Sequence, residues 1–127
     1  MSAIQQALAS YSAASGTTYA TWNPADKGTN ITLSFSDTRA TNTAGSNELV
    51  RSTINKATGK WYWEITVQTI RQDLGVATTS QSLTGFVGDS VHSTGYNSGG
   101  TIFRNSGVLA SVASYTTGDV IGFALDA

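Results

Sequence analysis

Apolar positions along the chain change rhythm after about 16 residues. Up to Gly16, Ile4, Leu8 and Tyr11 recur at spacings of four and three, with Ala3, Ala7 and Ala14 between them. That period predicts one short amphipathic helix with a narrow, Ala-rich face, capped by Ser2 and ended by Ser15-Gly16. So weak a face is marginal on its own. Residues 1–16 therefore read as a terminal arm or short helix that docks loosely or contacts a neighbouring subunit, and residues 17–127 as a single domain.

From Thr17 onward, Thr, Val, Ile and aromatic residues come in short runs broken by Gly, Asn, Asp and Ser. This texture predicts strands at Thr18–Trp22, Ile31–Phe35, Arg39–Thr43, Leu49–Ile54, Trp61–Thr69, Asp73–Ala77, Gly85–Val87, Gly95–Asn97, Thr101–Phe103, Val108–Val112 and Val120–Leu125. Breaks are expected at, among others, Asn23-Pro24, Ser98-Gly99-Gly100 and Asn105-Ser106-Gly107. Many short strands at this spacing point to an all-β sandwich or barrel.

Two strands alternate most regularly. Trp61, Trp63, Ile65 and Val67 share one face, and Tyr62, Glu64, Thr66 and Gln68 the other. Ile121, Phe123 and Leu125 likewise oppose Val120, Gly122, Ala124 and Asp126. A period of two with one heavy apolar side marks a half-buried strand, so these seven apolar residues are the expected structural core.

Composition narrows the functional classes. Ser, Thr and Gly make up 48 of 127 residues, charged residues are 12%, and the net charge is -1. A balance this neutral offers no electrostatic attraction to nucleic acid or to an anionic membrane. No run of 18 apolar residues exists to span a membrane as a helix. Cys is absent, which excludes disulfides, thiolate chemistry and Cys-ligated metal. The N-terminus lacks the basic and apolar regions of a secretory signal, so classical secretion is not expected.

Candidate chemistry is sparse. His92 is the sole histidine, three residues after Asp89, and reads as a loop residue rather than a metal ligand. No Gly-x-Ser-x-Gly elbow is present. Glu48 and Glu64 are the only glutamates, without the acid-pair pattern of a glycosidase. Asp26, Asn30, Asp37 and Asn42 lack the dense alternation of a calcium loop. No catalytic residue, metal or cofactor is expected. Thr84 to Phe103 holds Phe86, Tyr96, Asn97 and Phe103 among several glycines. Tyr, Asn, Ser and Gly together supply rigid contact area with adaptable polar groups. These four are the candidate binding residues, with an ordinary core or rim role as the alternative.

Gly59-Lys60-Trp61-Tyr62-Trp63-Glu64-Ile65-Thr66-Val67 resembles the signature strand of the SPRY family, the core of B30.2-type domains. Leu49 to Ile54, with Val50-Arg51-Ser52-Thr53, is similar to the strand before it. Gly75-Val76-Ala77 is similar to the family's short Gly-Val strand. The segment from Tyr115 to Asp126, through Gly118-Asp119-Val120-Ile121-Gly122, resembles its late central strand. The Ser/Thr/Gly-rich texture is similar to SPRY-like domains of bacteriophage structural and tail proteins.

This resemblance implies a concanavalin-like antiparallel β-sandwich and a binding or structural module rather than an enzyme. It also implies further strands after Leu125-Asp126. Three explanations of their absence stay open: a fragment of a longer chain, strands supplied by a neighbouring copy or another virion protein, or a reduced sandwich closed by the N-terminal segment. The expected function is a non-enzymatic bacteriophage virion component, a decoration, baseplate or tail-fibre module assembled in the host cytoplasm. Its expected partners are other virion proteins or copies of itself. The alternative is a receptor-binding module for a host surface glycan or protein.

Overall fold

The computed structural model describes residues 19–70 and 72–127. The expected arm at 1–16 lies outside them. Among the described residues the chain forms ten strands and no helix. They are β1 (Trp22–Lys27), β2 (Ile31–Ser34), β3 (Arg39–Asn42), β4 (Val50–Ser52), β5 (Lys60–Thr66), β6 (Leu74–Ala77), β7 (Ser93–Tyr96), β8 (Thr101–Arg104), β9 (Gly107–Ser111) and β10 (Val120–Asp126). Every pairing is antiparallel: β1 with β4, β2 with β3, β5 with β10, and β6-β7-β8-β9 in one sheet. The fold is the expected all-β sandwich.

The two strands with the firmest alternation are partners. Val120 pairs with Thr66 and the register runs without a break to Asp126 opposite Lys60. Their apolar faces therefore coincide. Trp63, Ile65 and Val67 are buried with Leu74 and Tyr115, and Trp61, Ile121, Phe123 and Leu125 pack against them half-buried. Trp63 stacks on Phe123 with ring centroids 5.2 Å apart and planes 3° from parallel. Across the layer, the four-stranded sheet contributes Leu74, Val76 and Tyr96.

The other face of that sheet is covered by the long connection from β6 to β7. Val87 is fully buried with Leu49, and Ala77 and Leu83 flank them. Gly75 and Gly95 make this close approach possible. A Cβ on Gly95 would stand 2.1 Å from the Val87 carbonyl oxygen, and one on Gly75 2.0 Å from that of Thr94. Gln81, buried, fastens the connection. Its Oε1 accepts from the hydroxyls of Ser90 (2.6 Å) and Ser93 (2.7 Å), and its Nε2 donates to Asp89 Oδ1 (2.9 Å). Arg51 on β4 ties in the remaining layer. It grips Asp26 of β1 through Nε and Nη2, both at 2.7 Å, and donates from Nη1 to the Gln81 carbonyl. A third core of Trp22, Ile31 and Val50 lies under β1, β2 and β4.

Three expectations are corrected. The break at Asn23-Pro24 does not occur: β1 runs through it, with an irregular register to β4 between Trp22 and Lys27. Asn23 Oδ1 accepts from the Ala25 N–H at 2.9 Å, so the kink at the proline is accommodated inside the strand. Gly85–Val87 is not a strand. Gly85 and Gly88 take φ of 106° and 98°, which bends the backbone away from any ladder, and only Thr84 bridges to Glu48. The strand expected at Thr18–Trp22 starts instead at Trp22.

Candidate functional site

The four expected binding residues do not form one patch. Gly95 pairs with Phe103 and Tyr96 with Ile102, so Tyr96 and Phe103 point to opposite faces of their sheet. Phe103 is buried, and half-buried Phe86 tilts against it at 5.5 Å. Tyr96 meets Tyr115 edge-on at 4.9 Å and donates its hydroxyl hydrogen to the Ala113 carbonyl at 2.5 Å. Asn97 closes the β7–β8 turn, its Oδ1 accepting from the Thr101 N–H at 3.0 Å. Each makes contacts that shape the fold.

Most of the candidate carboxylates and amides have partners too. Asn30 donates to Glu48 through its backbone N–H (2.7 Å) and its side chain (2.5 Å). Tyr62 donates its hydroxyl hydrogen to Glu64 at 2.8 Å, and this bond raises the Tyr62 pKa above its ordinary value. Asp89 serves Gln81 and the Phe86 N–H, while His92 is exposed. Among the described residues no three His, Asp or Glu side chains gather closely enough to hold a metal ion.

The distinctive surface lies elsewhere, at the β2–β3 turn. Phe35, Ser36 and Asp37 are consecutive non-glycine residues at φ of 53°, 55° and 61°. The left-handed region costs about 1–2 kcal/mol for a residue such as Phe35 or Ser36 and less for Asp37, a type that visits it more readily. Local bonds hold the turn. The Thr38 N–H (3.2 Å) and hydroxyl (2.7 Å) both donate to the Phe35 carbonyl, and the Trp22 N–H donates to the Asp37 carbonyl at 2.8 Å. The result places a phenylalanine ring 69% exposed at the turn. Arg39 lies 4.6 Å from the ring centroid and bonds Gln68 Oε1 at 3.2 Å, bracing the ring from the sheet side.

Beside the ring runs an open groove of about 490 Å³ between this hairpin and the β5–β10 pair. Phe35, Arg39, Glu64, Gln68 and Val120 line it, and Val120 is 56% exposed. Apolar contact area is thus edged by one cation, one anion and amides, the mixture of a protein-contact surface. A second cavity, about 290 Å³, lies between β4 and β6 and includes Trp61, Asn55 and Asn23. Lys56 Nζ sits 4.1 Å over the Trp61 ring there.

A family model for the SPRY domain matches residues 60–127. The chain belongs to the SPRY family. A comparison with curated proteins finds no match. The SPRY match begins at β5 and takes in both central strands and the whole four-stranded sheet. It leaves out β1 to β4, and with them the Phe35 turn. The SPRY fold is a protein–protein interaction module, and here the strained turn stands beside the matched scaffold.

Sequence reasoning placed its candidate residues in the Tyr- and Gly-rich loops and did not single out Phe35. One signal was present. Phe35 interrupts Ser34, Ser36 and Asp37, an apolar ring inside an otherwise polar turn, and was absorbed into the expected strand Ile31–Phe35.

Proposed function

We propose that this SPRY chain is a non-enzymatic protein-binding module whose contact surface is Phe35 and the adjoining groove. The observation that carries this reading is the exposed aromatic ring on three consecutive left-handed residues. A sequence free to relax would place Gly or Asn there. Backbone strain concentrates where a side chain must be presented. The groove offers no nucleophile with a base, no acid pair and no clustered metal ligands, so its chemistry is contact rather than turnover.

We further propose that the setting is a bacteriophage virion, as a decoration, baseplate or tail-fibre component binding other virion proteins. This rests on the SPRY scaffold together with the low-charge, Ser/Thr/Gly-rich surface. The test is immunodetection of the chain in particles purified on a density gradient from a producing culture. The expected result is a signal that bands with intact particles. A chain found only in the soluble lysate would contradict the virion setting.

A second reading, glycan recognition, draws on the 290 Å³ cavity with its Trp61, Asn23 and Asn55. Lys56 already occupies one face of the Trp61 ring, which removes that face as a sugar platform. Glycan-array binding that Trp61→Ala abolishes would reverse the order of the two readings.

A further inference from the structure

We propose that the free edge of β9 is a self-association surface, pairing antiparallel with β9 of a second copy. Among the described residues, β9 is the outermost strand of the four-stranded sheet, and all five of its residues are exposed. Val108 is 70% exposed and Leu109 61%, and Val112, just beyond the strand, is 50% exposed. Edge strands of monomers are normally blunted by charge, proline, shortness or a bulge, and of these β9 has only its short length and one bulge. Here no charged residue and no proline occurs between Arg104 and Asp119.

The backbone is set for pairing over a short stretch. Thr101 lies opposite Ser111, and the Val112 N–H bonds the Gly100 carbonyl at 2.7 Å. Ser111 is therefore in a non-hydrogen-bonded position toward β8, and its N–H and C=O point to the open edge. The register shift between Ile102 and Phe103 makes Leu109 the extra residue of a bulge. Regular pairing then runs from Ala110 onward, and Val108 and Leu109 add side-chain contact. The far end is held firm, because the Ala113 carbonyl accepts from the Tyr96 hydroxyl.

Charge selects the partner. A twofold axis brings a strand against its own sequence, and like charges placed opposite one another destabilise such a pair. Fourteen consecutive uncharged residues, 105–118, avoid that repulsion and offer nothing to attract a charged partner. An antiparallel pair centred on Ser111 would set Ala110 opposite Val112 of the second copy and Leu109 opposite Ala113. This surface shares no residue with the Phe35 groove, so either can fail without the other.

The experiment is the native mass of the full chain by size-exclusion chromatography with light scattering, repeated for Leu109→Lys and Ser111→Pro. Leu109→Lys introduces a charge that a twofold contact would double. Ser111→Pro removes an N–H that β8 does not use, which an edge strand tolerates. The expected result is twice 13.2 kDa for the wild type, with association weakened about tenfold or more by each substitution. Circular dichroism should report an unchanged β-sheet spectrum. A wild-type mass of one chain overturns the proposal. So does a dimer that neither substitution weakens, or attachment of a different protein through β9 in place of the second copy. If one variant misfolds, the other still decides.

Discussion

Ser36 isolates the strain at the β2–β3 turn from every other contact of that turn. It is exposed, at φ 55°, between Phe35 and Asp37. Ser36→Gly removes the Cβ that makes this region costly, and should stabilise the fold by about 1 kcal/mol in denaturant unfolding. A loss of stability would show that the turn is unstrained. Trp63 is the opposite kind of residue, 5% exposed and stacked on Phe123. Trp63→Ala should cost about 3–5 kcal/mol, and a cost under about 1 kcal/mol would remove it from the core. Tyr115 supplies a pH signature. Its hydroxyl is buried against the carbonyls of Gln72 and Tyr96, and burial, with Asp73 nearby, pushes its pKa well above the usual value near 10. In the unfolded chain the phenol ionises at its ordinary pKa, whereas the folded state holds it neutral. Its contribution is thus complete below pH 10 and is lost as the pH rises above that value. Urea unfolding midpoints of the wild type should fall above pH 10, and those of Tyr115→Phe less so.

Strands were legible in the sequence where alternation was strict and one face heavy. Trp61 to Val67 and Ile121 to Leu125 stand where the period of two puts them, whereas their pairing and its register are seen only in the structure, since a slip of two residues would keep the same faces together. Elements fixed by contacts distant in sequence were not legible. Gly85–Val87 has strand-like composition, but its backbone is turned by Gly85 and Gly88 and tied down by Asn47, Ser93 and Gln81. Asn23-Pro24 reads as a terminator, yet the Asn23 side chain, the pairing with β4 and the Arg51–Asp26 contact keep it in β1. Phe35 was visible merely as a strand end, because a left-handed φ leaves no mark in a pattern of apolar and polar letters. The glycines under the β6–β7 connection give a check at this scale. Gly95→Ala puts a methyl group against the Val87 carbonyl and the Phe103 ring. It should cost about 1–3 kcal/mol by overpacking, read as a lower thermal midpoint. An unchanged midpoint would mean that the connection does not press on the sheet as described.

For the whole molecule, the SPRY scaffold separates support from contact. The matched half supplies the buried Trp63 layer and the rigid four-stranded sheet. The unmatched half, tied to the scaffold through Arg51, Asp26 and Gln81, carries the turn that displays Phe35. The β9 edge adds a surface on the matched half that suits a second copy. The proposed virion setting would use both surfaces, one toward a second copy and one toward the structure the chain joins. Phe35→Ser tests the central claim most directly, since it removes the exposed ring without entering the core. The measurement is the fraction of the chain that bands with particles on a density gradient, compared with wild type, alongside thermal unfolding of each purified protein. The account predicts a variant that melts like wild type and is largely lost from the particles. A variant that stays particle-bound at the wild-type level would contradict it.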